Sequence, residues 1–230
     1  MPNQNQITEK ESLEIITSMI QKAKGTYYET GIGPILWGSV VSFASFVTFL
    51  QMKYEFTIGF DVWLLVLFAI IPQIMISMRE KKTGRIKKYE DDALDTVWLV
   101  FGISLFCLIV YRNAVPSVTT RLIAAEGWQM MKHYTDGSKP DEALIPFVPS
   151  FYSIYIMLYA FPTLVTGLVK KFKPMIYGAI LSYGLFVMSC FTSSWNDMLL
   201  GTITAILCWL IPGILLRKKY LAQKTAKANV

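Results

Sequence analysis

Charge is missing from the parts of this chain where it would be most informative. The sequence contains six long apolar segments, and no Asp, Glu, Lys, Arg or His lies in the middle third of any of them. Buried ionisable groups mark proton relays, ion sites and most intramembrane catalysis. Without that signal, the sequence predicts how the chain sits in a membrane more directly than what the chain does.

Residues that bind metals or act as nucleophiles are scarce as well. The one histidine, His133, lies in a polar connection, and the three cysteines lie inside apolar segments without a partner at metal-ligand spacing. We interpret Cys107, Cys190 and Cys208 as small packing residues. The chain also lacks a Gly-rich phosphate loop, HExxH and GxSxG. From these absences we expect that the protein binds no metal and no cofactor, and we regard an enzyme as the less favoured class of protein.

One acidic motif keeps an enzymatic alternative open. Asp91, Asp92 and Asp95 form the sequence DDALD, which has the spacing of the DDxxD metal motif of prenyl-transferring enzymes. No second acidic motif completes such a site, and the basic loop before it favours charge balancing. A membrane-embedded lipid-modifying enzyme is therefore the weakest functional alternative.

What the chain does have is apolar length. Hydrophobic residues make up 53% of its 230 residues and charged residues only 17%. Each apolar segment has about 18 to 22 residues, which is the length a helix needs to cross a bilayer. We predict an all-α polytopic membrane protein in which six transmembrane helices form three hairpins. The predicted spans are Pro34–Met52, Ile58–Met78, Leu94–Arg112, Val148–Leu168, Pro174–Phe191 and Met198–Leu216.

Lys and Arg are distributed unevenly between the two sides of these spans. With the N-terminus inside, 17 of the 22 Lys and Arg residues fall on the inner side. This bias predicts that both termini are cytoplasmic. It also accounts for the net charge of +6, so nucleic acid is not an expected partner. We expect the basic loop Arg79–Lys88 and the basic tail to contact anionic lipid head groups on the cytoplasmic face.

The chain divides into three predicted regions. Residues 1–32 hold a cytoplasmic amphipathic helix, 33–219 form the six-helix transmembrane domain, and 220–230 form the basic cytoplasmic tail. In the first region, Thr8 and Glu11 form a capping box before apolar residues at helical spacing. We expect this helix to lie on the inner leaflet or to pack on the protein itself. Docking of a protein partner is the alternative.

The outer loop, 113–147, is predicted to contain a second short helix. This helix would begin at a Ser117 cap and carry Trp128 on its apolar face. We expect it to rest on the outer membrane interface as a cap over the bundle. A lid over an outward-facing cavity is the functional alternative, because long loops in compact folds often carry function.

Two parts of the chain are similar to each other at an offset of 140 residues. Pro34–Arg79 matches Pro174–Lys219 without gaps, with nine identities in 46 positions that include Gly38 with Gly178. We interpret the match as an internal repeat, of which the middle hairpin is a weaker copy. Chance similarity between apolar segments is the alternative.

Three prolines occupy similar places in the predicted helices. Pro72, Pro162 and Pro212 each lie about one to two turns before the inner end of an out-to-in helix. Each removes a backbone hydrogen bond and can kink its helix. We predict that they act as hinges and open the bundle into a cavity on one side.

A row of tyrosines is the best candidate for a ligand-binding surface. Tyr152, Tyr155 and Tyr159 share one face of the fourth span. A hydroxyl without a partner in hydrocarbon costs a few kcal/mol, so these groups need polar neighbours or a ligand. Helix-to-helix hydrogen bonding and an outer aromatic belt are the alternative interpretation. The predicted neighbours include Ser42, Gln73 and Ser182.

Four charged residues lie near the ends of the spans. Asp95 and Asp197 are predicted to head their helices, where a carboxylate suits the positive end of the helix dipole. Asp61 and Arg112 both lie at the outer side, where they could pair. For all four residues we expect capping or interface pairing rather than catalysis.

The beginning of the chain resembles an uncharacterised family of bacterial integral membrane proteins. The resemblance is carried by ESLEIITSMIQKAK and GTYYETGIGPILWG, where an amphipathic helix precedes a Gly33–Pro34 break and the Leu36–Trp37–Gly38 start of the first span. It covers about the first 50 residues in detail. The resemblance implies a six-helix protein of the bacterial inner membrane, and it brings no activity and no functional residues.

These observations leave a non-enzymatic membrane protein as the leading hypothesis. We expect a sensor, a ligand-binding protein or an accessory subunit that recognises an apolar or amphiphilic ligand or a membrane partner. An uncoupled facilitator or carrier for a small solute is the second hypothesis, supported by the repeat and the prolines. The uncharged span centres predict a ligand that is neutral or amphiphilic rather than an ion.

Overall fold

The computed structural model describes residues 30–82, 89–145 and 151–228, and these ranges are mainly helical. A π-helical segment, Ile206–Leu210, connects the last two helices without a break and is called the π-turn below. Two short strands, β1 (Met131–Lys132) and β2 (Glu142–Ala143), pair antiparallel after the third helix. The helices are α1 (Ile32–Tyr54), α2 (Leu64–Lys82), α3 (Tyr89–Ala125), α4 (Ser153–Val169), α5 (Lys173–Ser189), α6 (Ser194–Ala205) and α7 (Ile211–Ala228). The predicted N-terminal amphipathic helix lies outside the described residues, as does most of the basic loop.

The fold is all-helical, and three of its helical segments are long and apolar enough to cross a membrane. These segments are Ile32–Tyr54, Asp91–Ala125 and the continuous stretch Ser194–Ala226. Ser153–Val169 is apolar but shorter. All six predicted spans coincide with helices over most of their length. The structure therefore supports membrane association through three clear candidate spans, while the count of six and the three-hairpin arrangement stay predictions.

The third helix corrects the prediction for the outer loop. We expected a span that ends at Arg112 and a separate helix that begins at Ser117, but α3 runs through both positions from Tyr89 to Ala125. Pro116 lies inside it, and nearby hydroxyls use carbonyls of this region: Ser117 Oγ donates to Ala114 O at 2.9 Å, and Thr120 Oγ1 donates to Pro116 O at 2.9 Å. Both bonds lie within about one turn of Pro116, and α3 continues past this proline, as membrane helices often do.

Consequently, the described residues 117–145 contain no interfacial helix separate from α3. Trp128 follows the end of α3 and lies in the loop that leads to β1, with half of its surface exposed. Asp95 also differs from its prediction, because it lies in the second turn of α3 rather than at its start.

The core is built from α1, α4, α5 and the α6–π-turn–α7 stretch. The most extensive contacts join α4 to α5 and α1 to α6, and the π-turn contacts α1, α4 and α5. Buried residues from several of these elements form the central cluster, including Val41, Tyr159, Cys208 and Trp209. Each of the two remaining helices makes close backbone contacts with one helix of this core: α2 with α1, and α3 with α4.

Two glycines permit the closest approach of helices within the core. A Cβ atom at Gly38 would lie 2.5 Å from the backbone nitrogen of Leu210, and a Cβ at Gly178 would overlap the carbonyl oxygen of Leu207. Both glycines therefore contact the backbone of the π-turn, one from α1 and one from α5. Small residues at such crossings let membrane helices pack backbone against backbone. These two positions are equivalent in the predicted repeat, which itself stays a prediction.

The three predicted hinge prolines all lie within helices. Pro72 is inside α2, Pro162 is inside α4, and Pro212 is the second residue of α7. Pro212 lies two residues after the end of the π-turn and cannot donate a backbone hydrogen bond, so the carbonyl four residues earlier loses its usual helical partner. At Pro162, the carbonyl accepts a hydrogen bond of 2.7 Å from Thr166 Oγ1. Their role as hinges stays a prediction.

Candidate functional site

A long groove, called the central groove below, lies between α2 and α3. It encloses about 1650 Å³. Its floor is formed by residues of α1, α4 and α6 together with Trp209 of the π-turn. Its lining extends from Thr30 and Glu80 at one end to Thr48, Asp61 and Arg112 at the other, so it follows the whole length of the helices. These are called the Glu80 end and the Arg112 end.

The groove is open along the side where α2 and α3 face each other. Within the described ranges, α2 makes close backbone contacts with α1 alone among the helices, and α3 makes them with α4 alone. Both helices also expose large apolar side chains, such as Phe68 of α2 at 65% and Phe106 of α3 at 67%. An apolar molecule could therefore pass between α2 and α3 into the groove without crossing the polar loops.

Tryptophans line the groove and donate their indole N–H groups to polar side chains of neighbouring helices. Four of the six tryptophans are lining residues. Each bond is between 3.0 and 3.1 Å long, which is a normal hydrogen bond. These bonds use the polar edge of each indole and leave its apolar rings as the groove surface. The pairs are Trp37 with Gln73, Trp63 with Thr48, Trp98 with Thr166, and Trp209 with Thr163.

An aromatic cluster forms the middle of the floor. The ring centroids of Tyr159 and Trp209 are 4.8 Å apart, and Phe101 lies 6.4 and 6.3 Å from those two rings. Trp98 extends the cluster, with its centroid 5.5 Å from that of Phe101. These distances are typical of edge-to-face and tilted aromatic pairs. The cluster gives the groove a rigid apolar surface that suits an acyl chain or another apolar body.

The predicted tyrosine face lies in the central groove. Tyr152, Tyr155 and Tyr159 all line it, and so does the predicted neighbour Gln73. At the Arg112 end, the Arg112 guanidinium donates to the Tyr152 hydroxyl and lies 4.3 Å from the centre of that ring. Arg112 therefore contacts the tyrosine face. No ion pair joins it to Asp61 among the described residues, so the pairing that their shared outer position allowed is not formed here.

Ser42 and Ser182 are not groove-lining residues, which corrects their predicted place in the site. Ser42 Oγ donates to the carbonyl of Ser39 at 3.2 Å. Ser182 is fully buried, donates to the carbonyl of Gly178 at 2.8 Å, and lies 3.3 Å from the sulfur of Cys208. In both cases the hydroxyl bonds to the backbone of its own helix, so it needs no partner in the groove.

Acidic residues predominate among the charged groups of the groove. Five acids and one base are lining residues in the described part of the chain, although the protein as a whole carries a net charge of +6. The base is Arg112. Asp91 forms an ion pair with Lys170, and Glu80 accepts a hydrogen bond from Thr30. The acids are Asp61, Glu80, Asp91, Asp95 and Asp197.

Asp197 is the functional candidate that the sequence interpretation underestimated. It lies in the first turn of α6, as predicted, but its side chain is 1% exposed and lines the groove. Oδ1 accepts a hydrogen bond of 3.0 Å from Thr192 Oγ1, and Oδ2 has no hydrogen-bond partner among the described residues. An orphaned buried carboxylate oxygen is costly, so such a group is a reason to look for a ligand.

The DDALD motif does not form a metal centre in the described residues. Within these ranges no group of three or more His, Cys, Asp or Glu side chains could hold a metal ion. Asp91 lies against Lys170 instead, with 12% of its side chain exposed. The motif thus contributes negative charge to the Glu80 end of the groove.

The central groove combines three chemical features that bear on what it can bind. Its features are an apolar aromatic floor, an open side between α2 and α3, and one buried acid with an unpartnered oxygen. The predicted family resemblance at the N-terminus falls mostly on residues before Thr30, outside the described ranges. No family model matches the chain, and neither a curated protein nor a solved structure shows significant similarity to it.

Proposed function

We propose that this protein is an integral membrane protein that binds an amphiphilic molecule in the central groove. The observation that carries the proposal is the open side between α2 and α3, which connects an aromatic floor to the surface where lipid would lie. A molecule with an apolar body can enter there from the bilayer without losing its apolar surroundings. Polar residues at both ends of the groove then suit a polar head group. Binding of this kind fits a sensor, a lipid-binding protein or an accessory subunit.

The membrane setting is part of the same proposal. Six spans with both termini in the cytoplasm are supported by the bias of Lys and Arg and by the helices found at all six predicted positions. A bacterial inner membrane is suggested by the N-terminal resemblance. Anionic lipid head groups at the cytoplasmic face, and a protein partner at the N-terminal helix, remain proposed contacts.

Filling the groove tests the binding proposal. Gly102 of α3 lines the groove, and a Cβ added there meets nothing within 4 Å, so the backbone position accepts a side chain and Gly102→Phe adds a ring at the groove wall. Binding of a neutral amphiphile, 11-(dansylamino)undecan-1-ol, is measured in phosphatidylcholine nanodiscs by energy transfer from tryptophan. The saturable part is defined by displacement with 1-hexadecanol. We expect Gly102→Phe to weaken this saturable binding by about tenfold, equivalent to roughly 1.4 kcal/mol.

Gly184→Phe is the matched control. A Cβ added at Gly184 also meets nothing within 4 Å, but this glycine lies on α5 and is not a lining residue. Its variant should bind the probe like the wild type. A signal that never saturates above that of empty nanodiscs would contradict the proposal, as would equal binding by the two glycine variants.

A second function, an uncoupled facilitator for a small solute, is favoured by one observation. The groove lining runs from the Glu80 end to the Arg112 end rather than stopping in the middle. A continuous lining is what a path across the membrane requires. The open side distinguishes the two functions. A path for a polar solute would be exposed to lipid where α2 and α3 separate, whereas a lipid-like ligand would enter the groove through that opening.

The orientation can be tested with two single cysteines in a background where the three native cysteines are replaced. Ser138 lies in the loop between β1 and β2, and Ala226 lies near the end of α7; both are exposed. A membrane-impermeant maleimide added to intact cells is expected to label Ser138→Cys, and to label Ala226→Cys only after the cells are permeabilised. The opposite pattern would mean that the termini are outside.

A further inference from the structure

We infer that the amphiphile bound in the central groove carries a cationic amine head group, and that the buried carboxylate of Asp197 anchors this group. The inference rests on the proposed function and names the chemical class of its ligand. It also revises the expectation of an uncharged binding site, since that expectation came from the middle of the spans. Asp197 lies in the first turn of α6 and still faces the groove.

The geometry of Asp197 leaves one oxygen for a ligand. Thr192 supplies a hydrogen bond to Oδ1, and Oδ2 has no partner in the described part of the chain. Met198 and Gly201, one and four residues later on α6, also line the groove, so this face of α6 is turned toward the cavity. The position near the N-terminus of α6 favours the ionised carboxylate, because the helix dipole is positive there. A buried carboxylate oxygen without a partner suits a charged N–H donor, whose positive charge would also favour the ionised carboxylate.

The neighbouring acids do not compete for this role, because the structure gives each of them another partner. Asp91 pairs with Lys170, Glu80 accepts from Thr30, and Asp95 has an interaction of its own. Asp61 accepts the backbone N–H of Trp63 at 2.9 Å at the start of α2. Asp197 thus differs from the other lining acids in combining full burial with an orphaned oxygen.

The positive side chains at the same end of the groove contact aromatic rings rather than Asp197. The start of α6 lies beside the end of α1, because the rings of Phe49 and Trp195 are 5.9 Å apart. Lys53 lies over these rings, with its Nζ 5.5 Å from the centre of Phe49 and 5.6 Å from that of Trp195. Arg112 lies over the ring of Tyr152. Neither cation forms an ion pair with Asp197 among the described residues.

The aromatic surroundings suit an ammonium group as well as the acyl chain beneath it. Trp63 and Tyr152 line the Arg112 end of the groove, and Trp63 is tied to Thr48, the residue before Phe49. Cations are attracted to the faces of such rings. A head group at this end would meet the carboxylate of Asp197 and aromatic rings, while its chain lies along the floor formed by Tyr159 and Trp209.

The test compares an amine with an alcohol of the same chain length. Hexadecylamine and 1-hexadecanol compete with the neutral dansyl probe for the wild-type protein in phosphatidylcholine nanodiscs at pH 7, with empty nanodiscs subtracted. We expect the amine to compete about tenfold more strongly, the lower range for a charge-assisted hydrogen bond. Equal competition by the two compounds would overturn the inference.

Three variants attribute that preference to Asp197. Asp197→Asn is expected to reduce the preference to about one to two-fold while the alcohol still binds, since the charge-assisted bond is lost. Asp197→Ser, which keeps a hydroxyl beside Thr192, gives a second uncharged variant and the same expected result. Asp136→Asn, an equal change of charge in the exposed loop, should keep the wild-type preference.

Two outcomes separate the inference from the proposed function. Retention of the amine preference in an uncharged Asp197 variant that still binds 1-hexadecanol would overturn the role of Asp197. Failure of the wild type to bind either compound saturably would overturn amphiphile binding itself, and the inference with it. Alcohol binding that is blocked by Gly102→Phe, without any amine preference, would leave the proposed function standing and remove the head-group assignment alone.

Discussion

Gly178→Ala is expected to lower the free energy of unfolding by about 3 kcal/mol, which is at the upper end of the usual cost of overpacking. The added Cβ would overlap the carbonyl oxygen of Leu207 in the π-turn, and backbone cannot move aside as a flexible side chain can. Gly38→Ala should have a similar effect from the other side of the π-turn, where the Cβ would lie 2.8 Å from the Cα of Leu210. Unfolding by SDS in mixed dodecylmaltoside micelles measures both.

Gly184→Ala provides the control for this pair and should change stability in the opposite direction. Its Cβ meets nothing within 4 Å, so only the better helix propensity of alanine remains, worth about 1 kcal/mol in favour of the variant. A comparable loss of stability in Gly178→Ala and Gly184→Ala would show that the π-turn is not the close contact described above.

Trp209→Ala is expected to cost about 3 to 5 kcal/mol of unfolding free energy, the usual range for removing a large aromatic side chain from a core. Trp209 is 5% exposed, lies in the central cluster, and donates its indole N–H to Thr163 at 3.0 Å. Its removal opens a cavity between α4 and the π-turn and leaves the hydroxyl of Thr163 without this donor. The same SDS titration gives the free energy.

Trp128→Ala is the matched substitution at the surface. Trp128 is 51% exposed, and its indole N–H donates to the side chain of Glu126 two residues away. We expect a change within about 0.5 kcal/mol, as for most surface substitutions. If the two tryptophan variants were equally stable, the central cluster would contribute little to the fold, and the groove floor could not be the rigid surface proposed here.

Local sequence patterns predicted the helices and one face of the site well. Apolar length located helices at all six predicted spans, because a helix satisfies its own backbone hydrogen bonds whatever its neighbours do. The spacing of Tyr152, Tyr155 and Tyr159 predicts one shared face of the fourth span, and all three line the groove, Tyr152 from the residue before α4. Gln73 lines the groove as well, although its side chain bonds to Trp37 and Ser77, and its role in ligand binding stays a prediction.

Predictions that depended on how a side chain is used were less successful. Ser42 and Ser182 have the polarity expected of groove residues, but each donates to a carbonyl of its own helix. Sequence alone does not reveal whether a helical serine bonds to its backbone or to another helix, because the two rotamers differ little in energy. Likewise, the third span was predicted to end at Arg112, whereas α3 continues through Pro116 to Ala125.

By itself, the sequence determined that this protein is helical and apolar enough to associate with a membrane, since both properties follow from residue type and spacing along one chain. Tertiary structure alone decided where the helices leave a gap. In the core the π-turn packs against both α1 and α5, α2 and α3 make close backbone contacts with the core only through α1 and α4 among the described residues, and Asp197 at the start of α6 is a buried acid that lines the groove. Packing between segments that are distant in sequence determines which side chains are buried and which hydrogen bonds they form. Hydropathy along the chain does not predict either.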